Sequence, residues 1–358
     1  DAQLVLYFGN RAALEDASCH HELKYLFPAA HIVGCSAGGQ MLDNGVTDEI
    51  ATGLALRFSS TDVFVAQECI ADAEDSYRAG RLLGVALFGP ELTSVLVISD
   101  GLAVNGSDLV AGIKSVLGHD IVITGGLAGD GADFNRTLVA SNDIPKPGQV
   151  AAIGLYGSKL VIGHGSAGGW SEFGPKRRIT KSAGNVLAEL DGKPALDLYK
   201  LYLGDEAEGL PGTGLLYPLL ISDPKFTGHS LVRTILAVDD NAATLTFAGD
   251  VPEGWTAQLM RGYSDRLVNG ASEAARSSVA GMSPCHEETV AIVVSCIGRR
   301  LLMGENVVDE IEAANRQLGK GTHSVGFYSY GEISPHPVTG VCELHNQTMT
   351  VTTIAEAA

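Results

Sequence analysis

A mixed α/β fold in two parts follows from three features of the sequence. A unit of strand, helix, strand and glycine loop occurs three times, further strand patterns between the units argue for partly antiparallel sheets, and 358 residues make two domains at about 100 to 200 residues each. The first unit opens with QLVLYF at 3–8, an apolar run of strand length, followed by helical periodicity over 11–27 and by HIVGCSAGGQ at 31–40, a strand running into glycines. TGLALRF at 52–58 predicts a further strand. The second unit places SVLVIS at 94–99, a helix over 107–118 with Ser107 or Asp108 as N-cap, HDIVITGGLAGD at 119–130, and a strand QVAAIGLYG at 149–157. Between the second and third units, VRTILAVDD and TLTFAGDV form a hairpin-like pair around Asp240 and Asn241, and a helical run ends near Val279. The third unit reads VAIVVSC at 290–296, a helix through ENVVDEIEAANRQLG with Gly319 as C-cap, HSVGFYSYGE at 323–332, then a strand QTMTVTTI at 347–354. The switch between the two domains, 1–190 and 191–358, falls where NVLAELDGKPALDLYKLYLG leads into the Gly- and Pro-rich EGLPGTG.

Forty-two Asp and Glu against 24 Lys and Arg leave a formal charge of -18, which repels phosphate backbones and anionic lipid and argues against nucleic acid or a membrane surface as partner. No apolar run approaches the roughly 18 to 20 residues of a membrane span. The start at Asp1 lacks the basic region of a signal peptide. Cys19, Cys35, Cys69, Cys285, Cys296 and Cys342 have no CxxC spacing in a chain large enough to need no disulfide staples, which predicts reduced thiols in a cytoplasmic protein.

GHGSAGG at 163–169 has the spacing of a dinucleotide fingerprint, but the following GWSEFGPKRRIT has no helical period to hold a pyrophosphate. Gly34, Cys35, Ser36, Ala37 and Gly38 match a nucleophile elbow and raise Ser36 as a serine hydrolase nucleophile; a tight structural turn is the competing reading, because Leu127 and Ser329 occupy the same place in the other units. No basic residue lies close in sequence to Cys35 to activate its thiol. Cys19, His20 and His21 point to different faces of a helix, and His31, His119 and His323 each begin a strand into a glycine loop, which favours structural roles. His336 and His345 flank Cys342 without diagnostic metal spacing. His164, set among glycines near Trp170 and Phe173, can face a ligand cavity, or serve as a hydrogen-bonded loop histidine. Lys176, Arg177, Arg178 and Lys181 form the one local basic run, able to receive a carboxylate or a propionate, or to make surface salt bridges.

The segments GCSAGGQ, GGLAGDG, GWSEFGP, NVLAELDGKPALDLY, FAGDVPEG, SCIGRR, GFYSYGEISP and ELHNQTMT, in order over nearly the whole chain, closely resemble the FIST family. The resemblance implies a non-catalytic sensory protein of bacterial or archaeal signalling with FIST N-terminal and C-terminal parts. It implies a small ligand and a signalling partner such as a histidine kinase, a diguanylate cyclase, a phosphodiesterase or a chemotaxis component. A subset of the family binds haem and senses nitric oxide. On that reading His164 is the first candidate for the axial ligand and His336 the second, with Trp170 and Phe173 against the porphyrin and Lys176, Arg177 and Arg178 toward the propionates. The competing reading is an amino acid or other metabolite at the glycine loops near Cys35 and Ser36, with Arg299, Arg300 and Glu332 clamping its carboxylate and ammonium.

Overall fold

The computed structural model describes residues 1–49, 51–282 and 288–357; Cys285 lies outside them. The first unit contains β1 (Leu4–Gly9), α1 (Arg11–Glu15), α2 (Ser18–Leu26) and β2 (His31–Ser36). It continues with the hairpin β3 (Gln40–Leu42) and β4 (Gly45–Thr47) and with β5 (Thr52–Leu56), and β6 (Asp62–Cys69) and α3 (Ser76–Leu87) link it to the second unit. The second unit runs through β7 (Leu92–Ser99), α4 (Gly106–Leu117), β8 (Val122–Leu127), β9 (Val139–Ser141), β10 (Gln149–Tyr156) and β11 (Leu160–Ala167). There follow β12 (Ser171–Ala183), β13 (Val186–Leu190), β14 (Lys193–Pro194), α5 (Ala195–Leu203), β15 (Leu219–Ser222), β16 (Ser230–Arg233), β17 (Ile235–Asp239), β18 (Thr244–Phe247), β19 (Thr256–Arg261) and α6 (Ser264–Val279). The third unit is β20 (Thr289–Cys296), α7 (Ile297–Met303), α8 (Val307–Leu318), β21 (Thr322–Ser329), β22 (Gly331–Pro335), β23 (Cys342–His345) and β24 (Met349–Glu356).

Each unit pairs its first two strands in parallel, β1 with β2, β7 with β8 and β20 with β21, and lays a later strand antiparallel on the first: β5 on β1, β10 on β7, β24 on β20. The strand after each glycine loop leaves its own unit. β3 pairs with β21 of the third unit, β9 with β2 of the first, and β22 with β8 of the second, so the exchange closes into a ring. Two linking strands extend it, β6 on β10 and β11 on β24. The mixed, partly antiparallel α/β sheets expected from the sequence are therefore present.

The inner faces of the three units share one core. Leu4, Leu6 and Phe8 meet Leu96, Ile98, Ile292, Val294 and Phe327, with Phe8 stacked on Phe327 at 4.6 Å between ring centres. Each such fully buried side chain contributes about 1.5–3 kcal/mol. On the outer faces α3 packs against α4 and α6 against α8 over small and branched residues such as Ala79, Leu109, Ala274 and Ile311. Residues between β11 and α6 form a separate sheet, in the order β16-β15-β19-β12-β13-β18-β17, with its own core around Tyr199, Phe247 and Leu259. This insert separates a strand from its helix where β6 reaches α3 in a few residues. Position 190/191 lies inside the insert, in the turn between β13 and β14, while strands from both sides of it share the other sheets.

Several elements differ from expectation for local reasons. The helix over 11–27 breaks in two because Asp16 accepts the Ser18 amide at 2.9 Å and hydroxyl at 2.8 Å, and Ala17 turns left-handed at φ 58°. α4 starts one residue before Ser107, capped by Asn105, whose side chain accepts the Ser107 and Asp108 amides. VRTILAVDD is interrupted at Thr234, leaving β17 and β18 as the hairpin. GHGSAGG is strand rather than turn for most of its length: β11 crosses under α6, and side chains at Gly163 and Gly165 would run into the Ser278 and Ala274 carbonyls. GWSEFGPKRRIT enters β12, whose register shifts between Phe173 and Arg177, around Pro175, which has no N–H to give. Gly165→Val should therefore destabilise the protein by about 1–3 kcal/mol through overpacking against α6, read as a lower midpoint in urea with unchanged slope.

Candidate functional site

The three glycine loops meet where the second strands end. The Gly38 amide donates to the Tyr328 carbonyl at 2.9 Å, the Gly129 amide to Ser36 at 3.0 Å and the Tyr330 amide to Leu127 at 3.2 Å, so each loop is bonded to another unit. Above this ring a cavity of about 520 Å³ opens between the starts of α1 and α7 and the loops after β2, β4 and β8. That volume suits a small metabolite.

Two arginines define its chemistry. Arg300, on α7, reaches both carboxylate oxygens of Asp48, at 2.6 and 2.5 Å, donates to the Gly38 carbonyl, and lies 5.3 Å over the Tyr328 ring. Its side chain is 20% exposed and Asp48 is 60% exposed, so a nearly enclosed guanidinium is paired with a carboxylate standing in solvent. Gly39 is left-handed at φ 134°, and a side chain there would collide with the Arg300 guanidinium. Arg11, at the start of α1, meets Asp130 at 3.1 Å and Asp133 at 3.4 Å. Asp130 is fixed: it accepts the Asn135 and Arg136 amides at 3.0 and 2.8 Å and the Tyr330 hydroxyl, and Tyr330 stacks on Phe134 at 4.6 Å. The rim thus offers guanidinium donors and carboxylate acceptors within one cavity.

Of the residues singled out from the sequence, Arg300 lines this cavity together with Ala37 and Gly38, which continue the loop of Cys35 and Ser36. Ser36 is buried and its hydroxyl oxygen accepts the Leu138 amide at 2.9 Å, and β2 runs on into the β3 and β4 hairpin instead of the helix a nucleophile elbow needs. Burial pushes the Cys35 thiol far up, away from the thiolate. Arg299, one residue from Arg300, turns into the core: it pairs with Glu310 at 2.8 Å, both wholly buried, and donates to the Gly168 and Leu267 carbonyls, while Ser295 and Tyr328 also bind Glu310. Glu332 is buried beneath the ring, held by Ser329 at 2.7 Å and by the Thr348 amide and hydroxyl at 3.1 and 2.9 Å. Burial raises its carboxyl to about 8 against the pull of those bonds.

The remaining candidates lie apart. His164 is half-buried in the middle of β11, its pKa lowered by burial, on the face away from α6. Trp170 donates to the Gln347 carbonyl at 2.8 Å, and Phe173 is exposed on β12. Arg177 bonds the Tyr202 hydroxyl and Asp191, the Arg178 amide donates to Asp191 at 2.9 Å, Lys181 pairs with Glu189, and Lys176 is exposed. His336 accepts the Val338 and Thr339 amides and stacks on His345, whose pKa burial lowers to about 3. Among the described residues no group of three or more His, Cys, Asp or Glu is placed to hold a metal ion. Arg11, Asp48, Asp130 and Asp133 were not singled out. Asp130 could have been, as the charged residue of the GGLAGDG loop.

The two adjacent arginines should separate by mutation. Glu310→Ala strands a buried guanidinium and should cost about 3–5 kcal/mol, whereas Asp48→Ala, which removes a solvent-exposed carboxylate from a guanidinium that keeps the Gly38 carbonyl, should cost less, about 1 kcal/mol, both read from denaturant unfolding. For Glu332 the folded carboxyl binds its proton more tightly than the unfolded one, so its contribution is complete below the unfolded pKa near 4.5 and is lost as pH rises toward 8. Comparing stability against pH for the wild type and Glu332→Gln should show that decline flattened in the variant.

Two family domains match the chain in order. The FIST N domain matches residues 3–193 and the FIST C domain residues 195–335. An uncharacterised protein of Methanocaldococcus jannaschii is 26% identical over 212 residues, which are 53% of this chain and 38% of that protein, so the chain spans well under half of that relative. Among solved structures, cyanuric acid hydrolase from A. caulinodans aligns over 83% of this chain and all of its own, at 9% identity and a TM-score of 0.20, too low to bear on fold or function. No helix of the described residues is long and apolar enough to cross a membrane. With both domains matched in order across most of its length, the chain belongs to the FIST family of small-ligand sensory domains.

Proposed function

We propose that the chain senses an amino acid or similar small carboxylate bound in the cavity over the loop ring, and passes the occupancy to a signalling partner such as a histidine kinase or a cyclic-di-GMP enzyme. The observation that carries this is the Arg300–Asp48 pair: a sheltered guanidinium, oriented by Gly38 and Tyr328, grips an exposed carboxylate of the protein's own. A ligand carboxylate can take the same two donors. Asp48, once released, and Asp133 remain on the rim to receive an ammonium group. Asp48 stands in solvent and is rehydrated on release, so displacing it costs less than breaking a wholly buried pair.

Haem fits this cavity poorly. Its lining carries Asn, Arg, Ala, Gly, Asp, Ile and Leu but no imidazole, thiol or thioether to bind iron axially, and His164 stands outside it on β11. The haem and nitric-oxide reading therefore rests on His164, and on His336, whose ring nitrogens already meet the Val338 and Thr339 amides and the Ser230 carbonyl.

A thermal-shift panel of amino acids and small carboxylic acids tests the proposal. One class should raise Tm, by the equivalent of about 2.7 kcal/mol at a hundredfold excess over Kd, and the shift should vanish in Arg300→Gln. A shift that survives Arg300→Gln, or a panel that moves nothing while haemin gives a Soret band lost in His164→Ala, would overturn it in favour of another site.

A further inference from the structure

The three units are alike except that one lacks an outer layer. In the second unit a strand and a helix, β6 and α3, cover β10 and pack against α4; in the third, β11 and α6 cover β24 and pack against α8. In the first unit β5 ends its sheet, and α2 makes few contacts beyond α1 and β2. The floor where a companion would sit is present. Gly53 and Ala55 pair with Tyr7 and Val5, which lie on the α2 face, and both are exposed. Small residues are also what α6 rests on, at Gly163 and Gly165. A cavity of about 280 Å³ lies over this floor, walled by Cys19, Leu23 and Phe27 of α2 and its end. Leu26 is 57% exposed beside it, and the β5 edge, TGLAL, carries no charge, proline or other device against strand addition.

We infer that this face is a docking site for a strand followed by a helix supplied by a partner protein, the strand adding antiparallel to the free edge of β5 and the helix lying over Gly53 and Ala55 against α2. The two intact units specify the chemistry. The added strand runs antiparallel, as β6 does on β10 and β11 on β24. The added helix presents small residues toward its neighbour, as α3 presents Gly80 and Gly84 to α4. Glu22 and Leu26 stand one turn apart on exposed α2 positions, so a partner helix with a basic position over Glu22 and an aliphatic one over Leu26 is complementary. A second copy of this chain is a poor occupant. Pairing β5 with its twofold mate would set the two α2 helices, each over β1 and β2, four strand spacings or about 19 Å apart. Packed helices need 8–10 Å, so the floor would stay uncovered.

The full chain with a copy of its own residues 62–88, the strand and helix of β6 and α3, appended after residue 358 through a flexible linker tests this by hydrogen exchange. The Glu356 carboxylate bonds the Ser59 and Ser60 amides just beyond β5, so the added strand starts at the correct end of the edge. The β5 amides should exchange about tenfold or more slowly than in the unfused chain, and Ala55→Glu, on an exposed side chain that leaves the fold intact, should remove the protection. Unchanged exchange in the fusion would overturn the inference. So would sedimentation showing the unfused chain to be a dimer that Ala55→Glu splits, since the occupant would then be a second copy. This inference is independent of the ligand site and survives or fails without it.

Discussion

Each second strand must lie close enough to its parallel partner for the three loops to reach one another, and glycine is what permits it. Gly34 faces Tyr7 across β1 and β2, Gly125 faces Val97 across β7 and β8, and Gly326 faces Val293 across β20 and β21; at all three a side chain would collide with the opposite carbonyl. The same approach at equivalent places lets Gly38, Gly129 and Tyr330 make their bonds between units. With that ring closed, β3, β9 and β22 are delivered to neighbouring sheets and the inner core around Phe8 and Phe327 is shared by all three units. No unit can bury its inner face alone, so the repeats are interdependent in the way stacked repeats are.

The ring also explains how a ligand over it could be felt at a distance. Asp48 follows directly on the β3 and β4 hairpin, which belongs to the sheet of the third unit and touches α8, where Asn315 donates to the Asp43 carbonyl at 2.7 Å. A ligand that replaces Asp48 on Arg300 therefore acts on a segment that joins two units at the rim. The coupling can be no larger than the ligand's preference for the state with Asp48 released. The solvent-exposed carboxylate of Asp48 makes that state accessible, whereas the Arg299–Glu310 pair one residue away, wholly desolvated and with four further bonds, is built not to exchange.

The sequence made the units legible because each is a local pattern: apolar strands, a helical period and glycines in a fixed order. It did not reveal the exchange of strands between units, since pairing partners such as β8 and β22 lie some two hundred residues apart and carry no mark of each other. The GHGSAGG segment shows the same limit from another side. Its glycines answer to the Ser278 and Ala274 carbonyls of α6, a tertiary demand that looks in sequence like a loop. The site was half visible. SCIGRR pointed to two arginines together, but successive helical residues are turned by about 100°, and that turn sends Arg299 into the core and Arg300 to the cavity. Asp48 stayed hidden because an ordinary charged residue after a hairpin is a surface residue in most chains.

Departures from the repeat are then more informative than the repeat. The ring bonds are made by backbone groups, so the side chains on the loops can differ from unit to unit: Ser36 accepts the Leu138 amide just before β9, Asp130 ties Arg11 to its loop, and Ser329 bonds the buried Glu332. The outer layer diverges as well. The second unit's linking strand leads into a whole additional sheet, locked to the third unit where Arg233 donates to the Leu344 carbonyl at 3.0 Å and His229 meets Glu343 at 3.1 Å, while the first unit's outer strand and helix are absent from the described residues. A fold that repeats in its core and differs in its cavity and at one bare edge keeps stability apart from variation, since the shared core carries the energy while the loop side chains and the uncovered edge are the places where the units differ.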